Sequence, residues 1–267
     1  MPAKPAKRSR DARQGVQGVE IGMHLALTLA REPGPLALGA LARAAKLPPS
    51  KTHRYLVSLC RSGVVVQNAL TGEYALGPAL IRLGIAAQGH VDEFRLAEEA
   101  MARVHEATQA TATVAVWGSH GPTIVRRKES FRPVTVITRI GSVLPMSASA
   151  AGRLFAAYLP PAVTKPFVDR EFAGGLRVTY MGRALDRRGF ERLLAEIRRD
   201  GLSRVKGDFL AGVDAIAAPI FNHAGEIAMT LAILGGQGSL DLALDGAPCR
   251  ALRRIAAETS VRMGAPA

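Results

Sequence analysis

The stretch of residues 48–63, PPSKTHRYLVSLCRSG, decides the fold of the first part of the chain. At about 100° per residue, its apolar and polar residues separate onto opposite faces of a predicted helix. The apolar face holds Thr52, Leu56, Leu59 and Cys60, and the polar face holds Ser50, Lys51, Arg54, Ser58 and Arg61. The polar face has no acidic residue, whereas solvated helix faces usually mix both signs. The face is therefore either an unusual solvated surface or one that binds a polyanion such as nucleic acid.

Two helices and a hairpin are predicted around this stretch. The segment VQGVEIGMHLALTLAREPG has helical periodicity up to Pro33, and LALGALARAAKL repeats the pattern. A turn over residues 46–49 leads into the central helix, with Ser50 as the predicted N-cap. The alternating segment VVVQNALTGEYALG then predicts a β-hairpin. Three helices closed by a hairpin indicate a winged helix-turn-helix over residues 17–77, whose third helix would enter the major groove.

The charge is concentrated in the same part of the chain. The 267 residues carry a formal charge of +13, with eleven Lys/Arg and four Asp/Glu, hence +7, in residues 1–77. The other 190 residues carry 24 and 18, hence +6. The first third is therefore the part expected to bind a polyanion. Residues 1–16 are predicted to be a disordered basic arm that either touches DNA phosphates or only aids solubility.

Several classes of site are disfavoured by composition. The two cysteines, Cys60 and Cys249, are far apart and have no C-x-x-C or His-rich neighbour, so neither a disulfide framework nor a zinc site is predicted. No run approaches the roughly 18 apolar residues of a membrane span, and no signal-peptide core follows the charged start. The sequence predicts a cytoplasmic protein that does not bind a membrane and has no cofactor or metal.

Residues 78–95 are predicted to form a linker helix, with a break near Gly89, and the pattern changes beyond it. Residues 96–267 are predicted to be an α+β domain. Predicted strands are TATVAVWG, PTIVRRKE, VTVITRIG, GLSRVKG, VDAIAAPIF and EIAMTLAIL. Predicted helices are LPMSASAAGRLFAAYL, DRRGFERLLAEIRRDG and residues 248–263, with Asp186 as N-cap of the second. Helices around five or six strands suggest a small-molecule sensor, although the pattern alone establishes only α+β.

The order of these pieces resembles the IclR family of bacterial transcriptional regulators over residues 17–263. The resemblance rests on LARAAKLPPSKTHRYLVSL and GEYALG in the first domain, and on RIGSVLPMSASAAGRLFAAYL and GLSRVKGDFLAGVDAIAAPIFNHAGEIAMTLAIL in the second. It implies a winged helix that reads an operator, a linker helix, and a C-terminal GAF-like domain that binds a small effector. It also implies a homodimer or homotetramer that represses or activates catabolic genes.

The chain departs from the family pattern at two places. Lys46 stands where relatives usually have Gly, so it is predicted to adopt positive φ at a cost of roughly 1 kcal/mol. Ser147, Ala148 and Ser149 stand where relatives often have His-Cys-Thr, and Arg153 replaces a Lys. The identity of the effector is therefore not transferable from the family.

Eleven residues are predicted to contact double-stranded operator DNA. The N-terminal residues of a recognition helix point into the groove, so Ser50, Lys51, Thr52 and Arg54 are predicted to read bases. Basic groups in the turn and at the far helix end, and the polar hairpin tip, would mainly hold the backbone. The remaining candidates are Lys46, His53, Ser58, Arg61, Gln67, Asn68 and Thr71.

The resemblance places the effector pocket between residues 144–152, 206–215 and 230–234. There the amides of residues 148–151, with Ser147 and Ser149, would bind a carboxylate at the start of a helix. The apolar remainder favours an aromatic or otherwise apolar monocarboxylate, because unpaired buried hydroxyls are costly. The alternative is that Ala215, Ala232 and Leu234 are ordinary sheet core. Predicted lining residues are Trp117, Leu144, Met146, Ser147, Ala148, Ser149, Ala150, Ala151, Asp208, Phe209, Ala215, Ala232 and Leu234.

Two other classes of function explain less of the sequence. An α+β enzyme could use Ser147, Ser149, Asp208, Asp214 or His223, but no G-x-S-x-G motif occurs and no catalytic residue is predicted. A basic-surface protein without operator specificity explains the charge and leaves the winged-helix order unexplained. Paired DNA half-sites favour a dimer, with candidate surfaces at residues 23–30 and 81–87.

Overall fold

The computed structural model describes residues 15–89, 91–130 and 138–266. The chain divides into two compact units, Met1–Val91 and Asp92–Ala267, and each is described by itself. Nearly all of the predicted basic arm, residues 1–14, lies outside the described residues. Among the described residues, no helix has both the length and the hydropathy needed to cross a bilayer.

The first unit is a winged helix. It contains α1 (Gln17–Ala30), α2 (Leu38–Ala44), α3 (Pro49–Arg61), the hairpin strands β1 (Val65–Gln67) and β2 (Tyr74–Leu76), and α4 (Pro78–Gly89). The strands pair antiparallel, and Leu36 forms a further bridge to Tyr74. Helices α1, α2 and α3 and both hairpin strands contribute to one apolar core, which includes Leu25, Leu29, Leu41, Leu56, Val65 and Tyr74. This core holds α3 against α1 and α2 and leaves its polar face outward.

Two details of this unit test the sequence predictions. Lys46 has φ +54°, so the predicted left-handed conformation in the turn before α3 is confirmed. The prediction that Ser50 caps α3 is wrong, because the helix begins at Pro49 with Pro48 as its N-cap. Proline suits the first helical position, where its missing N–H would have no acceptor in the helix. In α1 the buried apolar residues are Leu25, Ala26 and Leu29.

The second unit is a five-stranded antiparallel sheet with helices on both faces. Its elements are α5 (Glu93–Thr108), β3 (Thr111–Gly118), β4 (Gly121–Lys128), α6 (Ala150–Tyr158), α7 (Pro161–Ala173), β5 (Thr179–Tyr180), β6 (Arg183–Ala184), α8 (Arg187–Asp200), β7 (Ser203–Lys206), β8 (Val213–Phe221), β9 (Ile227–Gly236) and α9 (Ala247–Arg262). The sheet order is β4-β3-β9-β8-β7. Helices α5 and α9 pack on the sheet, and α6 packs on β7, β8 and β9.

The sequence located most of these elements. The predicted cap of α8 is confirmed, because Asp186 Oδ1 accepts the N–H of Gly189 at 2.7 Å. Residues 134–137 of the predicted strand VTVITRIG lie outside the described residues, and residues 138–141 form no strand but lead into a turn at residues 140–141. Helix α7 and the β5-β6 hairpin were not predicted. Helix α5 begins at Glu93 within the second unit, so residues 93–95 of the predicted linker belong to it.

Candidate functional sites

The outward face of α3 is basic along its length. Arg54, Ser58 and Arg61 are exposed, Lys51 is partly exposed, and the first turn contains no acidic residue. Ser50, His53 and, in the preceding turn, Lys46 are exposed as well. Within the described part of the chain, no ion pair engages Lys51, Arg54 or Arg61. These cations are therefore available to an external anion.

Thr52 does not belong to this face. Its exposed fraction is 0%, and its hydroxyl donates to the carbonyl oxygen of Pro48 at 3.1 Å. The prediction that Thr52 reads bases is corrected, because a fully buried side chain cannot reach a base edge. Its position on the apolar face of the predicted helix was the signal for a core role.

The polar side chains at the hairpin tip form hydrogen bonds within the turn. Gln67 Nε2 donates to the Gly72 carbonyl at 3.0 Å, and Asn68 Oδ1 accepts the N–H groups of Leu70 and Thr71. The Thr71 hydroxyl donates to Glu73 Oε2 at 3.1 Å. These three side chains are exposed, but their bonds shape the tip and present Leu70, which is 96% exposed. Sequence reasoning missed Leu70, although an apolar residue at the centre of a turn is itself a signal.

A cavity in the second unit encloses about 530 Å³ of space, including its open mouth. Eight of the predicted lining residues meet there, namely Leu144, Ser149, Ala150, Ala151, Phe209, Ala215, Ala232 and Leu234. Six residues were not predicted, namely Thr113, Ile124, Thr138, Val205, Leu210 and Val213. Strand pairing brings several of them together, because Thr113 lies opposite Ala232 and Val205 lies opposite Ala215. Cross-strand partners share a face of the sheet.

The start of α6 lines the cavity with Ser149, Ala150 and Ala151. Ser149 is the N-cap, since its Oγ accepts the N–H of Gly152 at 2.9 Å and donates to the Pro145 carbonyl at 2.6 Å. The N–H groups of Ala150 and Ala151 occupy the first two helical positions, where no intrahelical acceptor exists. No described side chain accepts from them either. This end of the cavity can therefore hold an anion.

Ser147 lies away from the cavity because Glu171 of α7 engages it. The Ser147 N–H and Oγ donate to Glu171 Oε2 at 2.8 and 2.5 Å, and the Met146 N–H donates to Oε1 at 2.6 Å. An internal carboxylate thus takes the Ser147 hydroxyl, which was predicted to serve an effector. Glu171 was missed because 24 residues and an unpredicted helix separate it from Ser147.

Asp208 also has internal partners. Its carboxylate forms a buried ion pair with Arg153 of α6, with Oδ2 3.2 Å from Nη1 and side-chain exposures of 1% and 0%. The Thr179 hydroxyl donates to its other oxygen at 2.8 Å. Burial lowers the pKa of the Arg153 guanidinium and the Asp208 charge opposes this shift, but arginine stays charged in proteins. Asp208 therefore neutralises a buried cation and does not line the cavity.

The other three predicted lining residues are core residues. Trp117 packs against Phe155 and Phe167, with ring centroids 5.8 and 5.3 Å apart. Met146 and Ala148 are buried.

Asp214, considered above as a catalytic candidate, accepts the Gly238 N–H at 2.8 Å. Within the described residues, no cluster of three or more His, Cys, Asp or Glu could hold a metal.

Two family models match the chain in the order of its two units. The IclR helix-turn-helix domain matches residues 18–69, and the bacterial transcriptional regulator IclR C-terminal domain matches residues 86–261. The chain belongs to the IclR family of transcriptional regulators. The IclR resemblance and the predicted fold, a helix-turn-helix domain followed by an α+β effector domain, are confirmed.

Solved and curated relatives of this IclR-family chain are similar along most of their length. The crystal structure of HmgR from Pseudomonas aeruginosa has 34% identity and a TM-score of 0.79, covering 94% of this chain and 99% of that one. The transcriptional repressor IclR of Escherichia coli is 27% identical over 234 residues, 87% of this chain and 84% of the relative. An IclR homologue from Microbacterium hydrocarbonoxydans, complexed with 4-hydroxybenzoate, has 22% identity and a TM-score of 0.55, covering 92% and 98%.

Proposed function

We propose that this IclR-family regulator binds operator DNA through α3 and the hairpin, and that an aromatic or otherwise apolar monocarboxylate controls this binding from the cavity of the second unit. The observation that carries the effector class is the pairing of an apolar cavity with the Ala150 and Ala151 amides. The regulator would act on catabolic genes in the cytoplasm, without enzymatic activity of its own.

The lining of the cavity argues for an apolar effector body. Ala215, Ala232 and Leu234 lie on its sheet side with further apolar strand residues and Thr113, and Phe209 and Leu210 lie in the loop of residues 207–212. A buried hydroxyl or second carboxylate placed against these apolar residues would lose its hydrogen bonds to water, at about 1–3 kcal/mol for each unpaired group. A single carboxylate can bind the helix start. The homologue with 4-hydroxybenzoate supports the aromatic ring and the single carboxylate, and the ring hydroxyl of such a ligand would need a partner such as Thr113 or Thr138, which also line the cavity.

The DNA-binding part of the proposal rests on the basic face of α3. Ser50, Lys51 and Arg54 lie in the first half of the helix, where a recognition helix contacts bases. Lys46 and Arg61 would hold phosphate groups from the turn and from the far end of the helix, with Ser58 beside them, and His53 would contact either bases or phosphate. At the wing, Leu70 and the backbone of the tip would contact the minor groove or the sugar-phosphate chain.

Replacing Arg54 by alanine is expected to weaken operator binding by about 1–3 kcal/mol, or about 5- to 150-fold, if its guanidinium makes a bidentate base contact. The measurement is fluorescence anisotropy on a duplex selected from random DNA by the wild-type protein, compared with an unselected duplex. Arg31→Ala is the control, because Arg31 is an exposed arginine outside α3. Equal weakening on both duplexes would show that Arg54 contacts only phosphate.

We also propose that a second copy of this chain covers two apolar stripes on the first unit. Val19, Met23 and Leu27, spaced four residues apart, are exposed along one face of α1, and Ile81 and Ile85 are exposed on one face of α4. Exposed apolar rows of this kind are typical of an interaction site, and paired half-sites multiply operator specificity. Sedimentation velocity is expected to show a dimer or a tetramer built from dimers, and Met23→Glu with Ile85→Glu to give monomers. A wild-type monomer at micromolar concentration would contradict this assembly.

A further inference from the structure

Arg153 connects the walls of the cavity without lining it. It belongs to α6, its side chain is fully buried, and it lies two residues after Ala151, which lines the cavity. Phe209 and Leu210, in the loop of residues 207–212 between β7 and β8, also line the cavity. The guanidinium of Arg153 bonds both to the segment before α6, at the Ser147 carbonyl, and to this loop, at Asp208.

Four N–H bonds of Arg153 reach four different segments. Nε donates to the Ser147 carbonyl at 2.8 Å, and Nη2 donates to the Thr179 carbonyl at 2.5 Å. Nη1 donates to the Arg204 carbonyl at 3.1 Å and to Asp208 Oδ2 at 3.2 Å. The Tyr180 ring centroid lies 5.8 Å from its central carbon. Only a guanidinium offers five donors in a fixed plane that can serve so many acceptors.

The partners of Arg153 are neighbours in sequence of the lining residues. Arg204 precedes Val205, Asp208 precedes Phe209, and Ser147 lies two residues before Ser149. A displacement of any of these backbone segments therefore displaces part of the cavity wall. Because binding geometry must be held within about 0.5 Å, a group that fixes these segments sets the geometry of the site.

We propose that Arg153 is the positioning residue of the effector cavity, and that the affinity for the effector depends on it although it does not touch the effector. This inference rests on the proposed function of the cavity. The buried pair with Asp208 holds the loop of residues 207–212 against α6, and the bond to Ser147 holds the residues that precede the Ala150 and Ala151 amides.

The test compares Arg153→Lys with wild type. Lysine keeps the charge opposite Asp208 but has three donors on one nitrogen, so it cannot reach all four acceptors. Arg103→Lys is the matched control, because Arg103 is a partly buried arginine of α5 that pairs with Glu258 of α9, and neither of these two residues lines the cavity or bonds to Arg153. Affinity for 4-hydroxybenzoate is measured by calorimetry at a temperature where circular dichroism shows all three proteins fully folded.

Arg153→Lys is expected to weaken binding of 4-hydroxybenzoate by about ten-fold or more, the scale seen when a partner that supports a metal ligand is removed, while Arg103→Lys stays near wild type. A lower melting temperature alone would show only a structural role, since that role does not change the affinity of folded protein. Unchanged affinity in folded Arg153→Lys, or an equal loss in Arg103→Lys, would overturn the proposal.

Hydrogen exchange separates this inference from the effector class. If the wild-type protein binds no 4-hydroxybenzoate, the proposed effector class fails and the ligand-free proteins are compared. Arg153→Lys is then expected to speed exchange selectively in residues 144–152 and 205–213. Uniform acceleration across the second unit, or none, would overturn the positioning role whatever the effector is.

Discussion

Replacing Arg153 by methionine is expected to lower the free energy of unfolding of the second unit by about 3–5 kcal/mol. Methionine fills much of the space but leaves the Asp208 carboxylate buried without a cation, and it leaves the Ser147 and Thr179 carbonyls without their donors. Removing one partner of a buried ion pair costs far more than the pair itself contributes.

The measurement is urea unfolding followed by tryptophan fluorescence. Trp117 is the single tryptophan of the chain and packs in the second unit beside Phe155 of α6, so its signal reports on that unit. Arg199→Met is the control, because Arg199 is exposed and pairs only with the neighbouring Asp200, and no measurable change is expected. A loss below about 1 kcal/mol in Arg153→Met would show that the buried pair is not required.

Replacing Gly152 by alanine is expected to abolish effector binding and to destabilise the second unit by about 3 kcal/mol or more. A Cβ atom at position 152 would lie 2.1 Å from the Pro145 carbonyl oxygen and 2.6 Å from Met146 Cα. Both are backbone atoms that no rotamer change can move. The loop before α6 must therefore shift, and the Ser149 cap and the Ala150 and Ala151 amides shift with it.

Gly39→Ala is the matched control for Gly152→Ala. Gly39 also lies in the first turn of a helix, but a Cβ there would meet only the tip of Arg43, at 3.6 Å. No loss of stability is expected, since alanine favours helix more than glycine by up to about 1 kcal/mol. Calorimetry with 4-hydroxybenzoate, and urea unfolding followed by circular dichroism, which reports on the helices of both units, are run on both variants. Wild-type binding by Gly152→Ala would mean that this close approach does not shape the cavity.

Much of the fold could be predicted from local sequence patterns. The basic face of α3, the hairpin and the Asp186 cap depend on residues within a few positions of one another, and the sequence displays such relations directly. The start of α3 was misplaced by two residues because both a serine N-cap and a proline at the first helical position fit PPS. Two local rules competed there, and the proline rule determined the start.

The cavity could be predicted only in part, because it depends on strand pairing and on side-chain contacts between residues far apart in the sequence. Its sheet side requires β3 to lie beside β9 and β7 beside β8, which no local pattern specifies. The partners Glu171 and Asp208 lie 24 and 55 residues from Ser147 and Arg153, and their roles emerge only when the chain folds. One signal was present: Arg153 is the single charged residue of AAGRLFAAY, a helix whose other residues are small or apolar.

Helix α1 shows a second limit of prediction from the sequence. It is apolar on two faces, so periodicity predicts a helix without deciding which face enters the core. Leu25 and Leu29 are buried, whereas Val19, Met23 and Leu27 are exposed. The exposed set is the surface proposed to bind a second copy of the chain.

The central claim is that an aromatic or apolar monocarboxylate controls operator binding. The most direct test titrates 4-hydroxybenzoate and glyoxylate into the complex of the protein with its selected, fluorescently labelled operator duplex. The account predicts that 4-hydroxybenzoate changes operator affinity at lower concentration than glyoxylate, and that Ala232→Trp with Leu234→Trp, which fills the cavity, removes this response while the operator is still bound. A stronger response to glyoxylate, no response to either acid, or an undiminished response in the filled variant would contradict it.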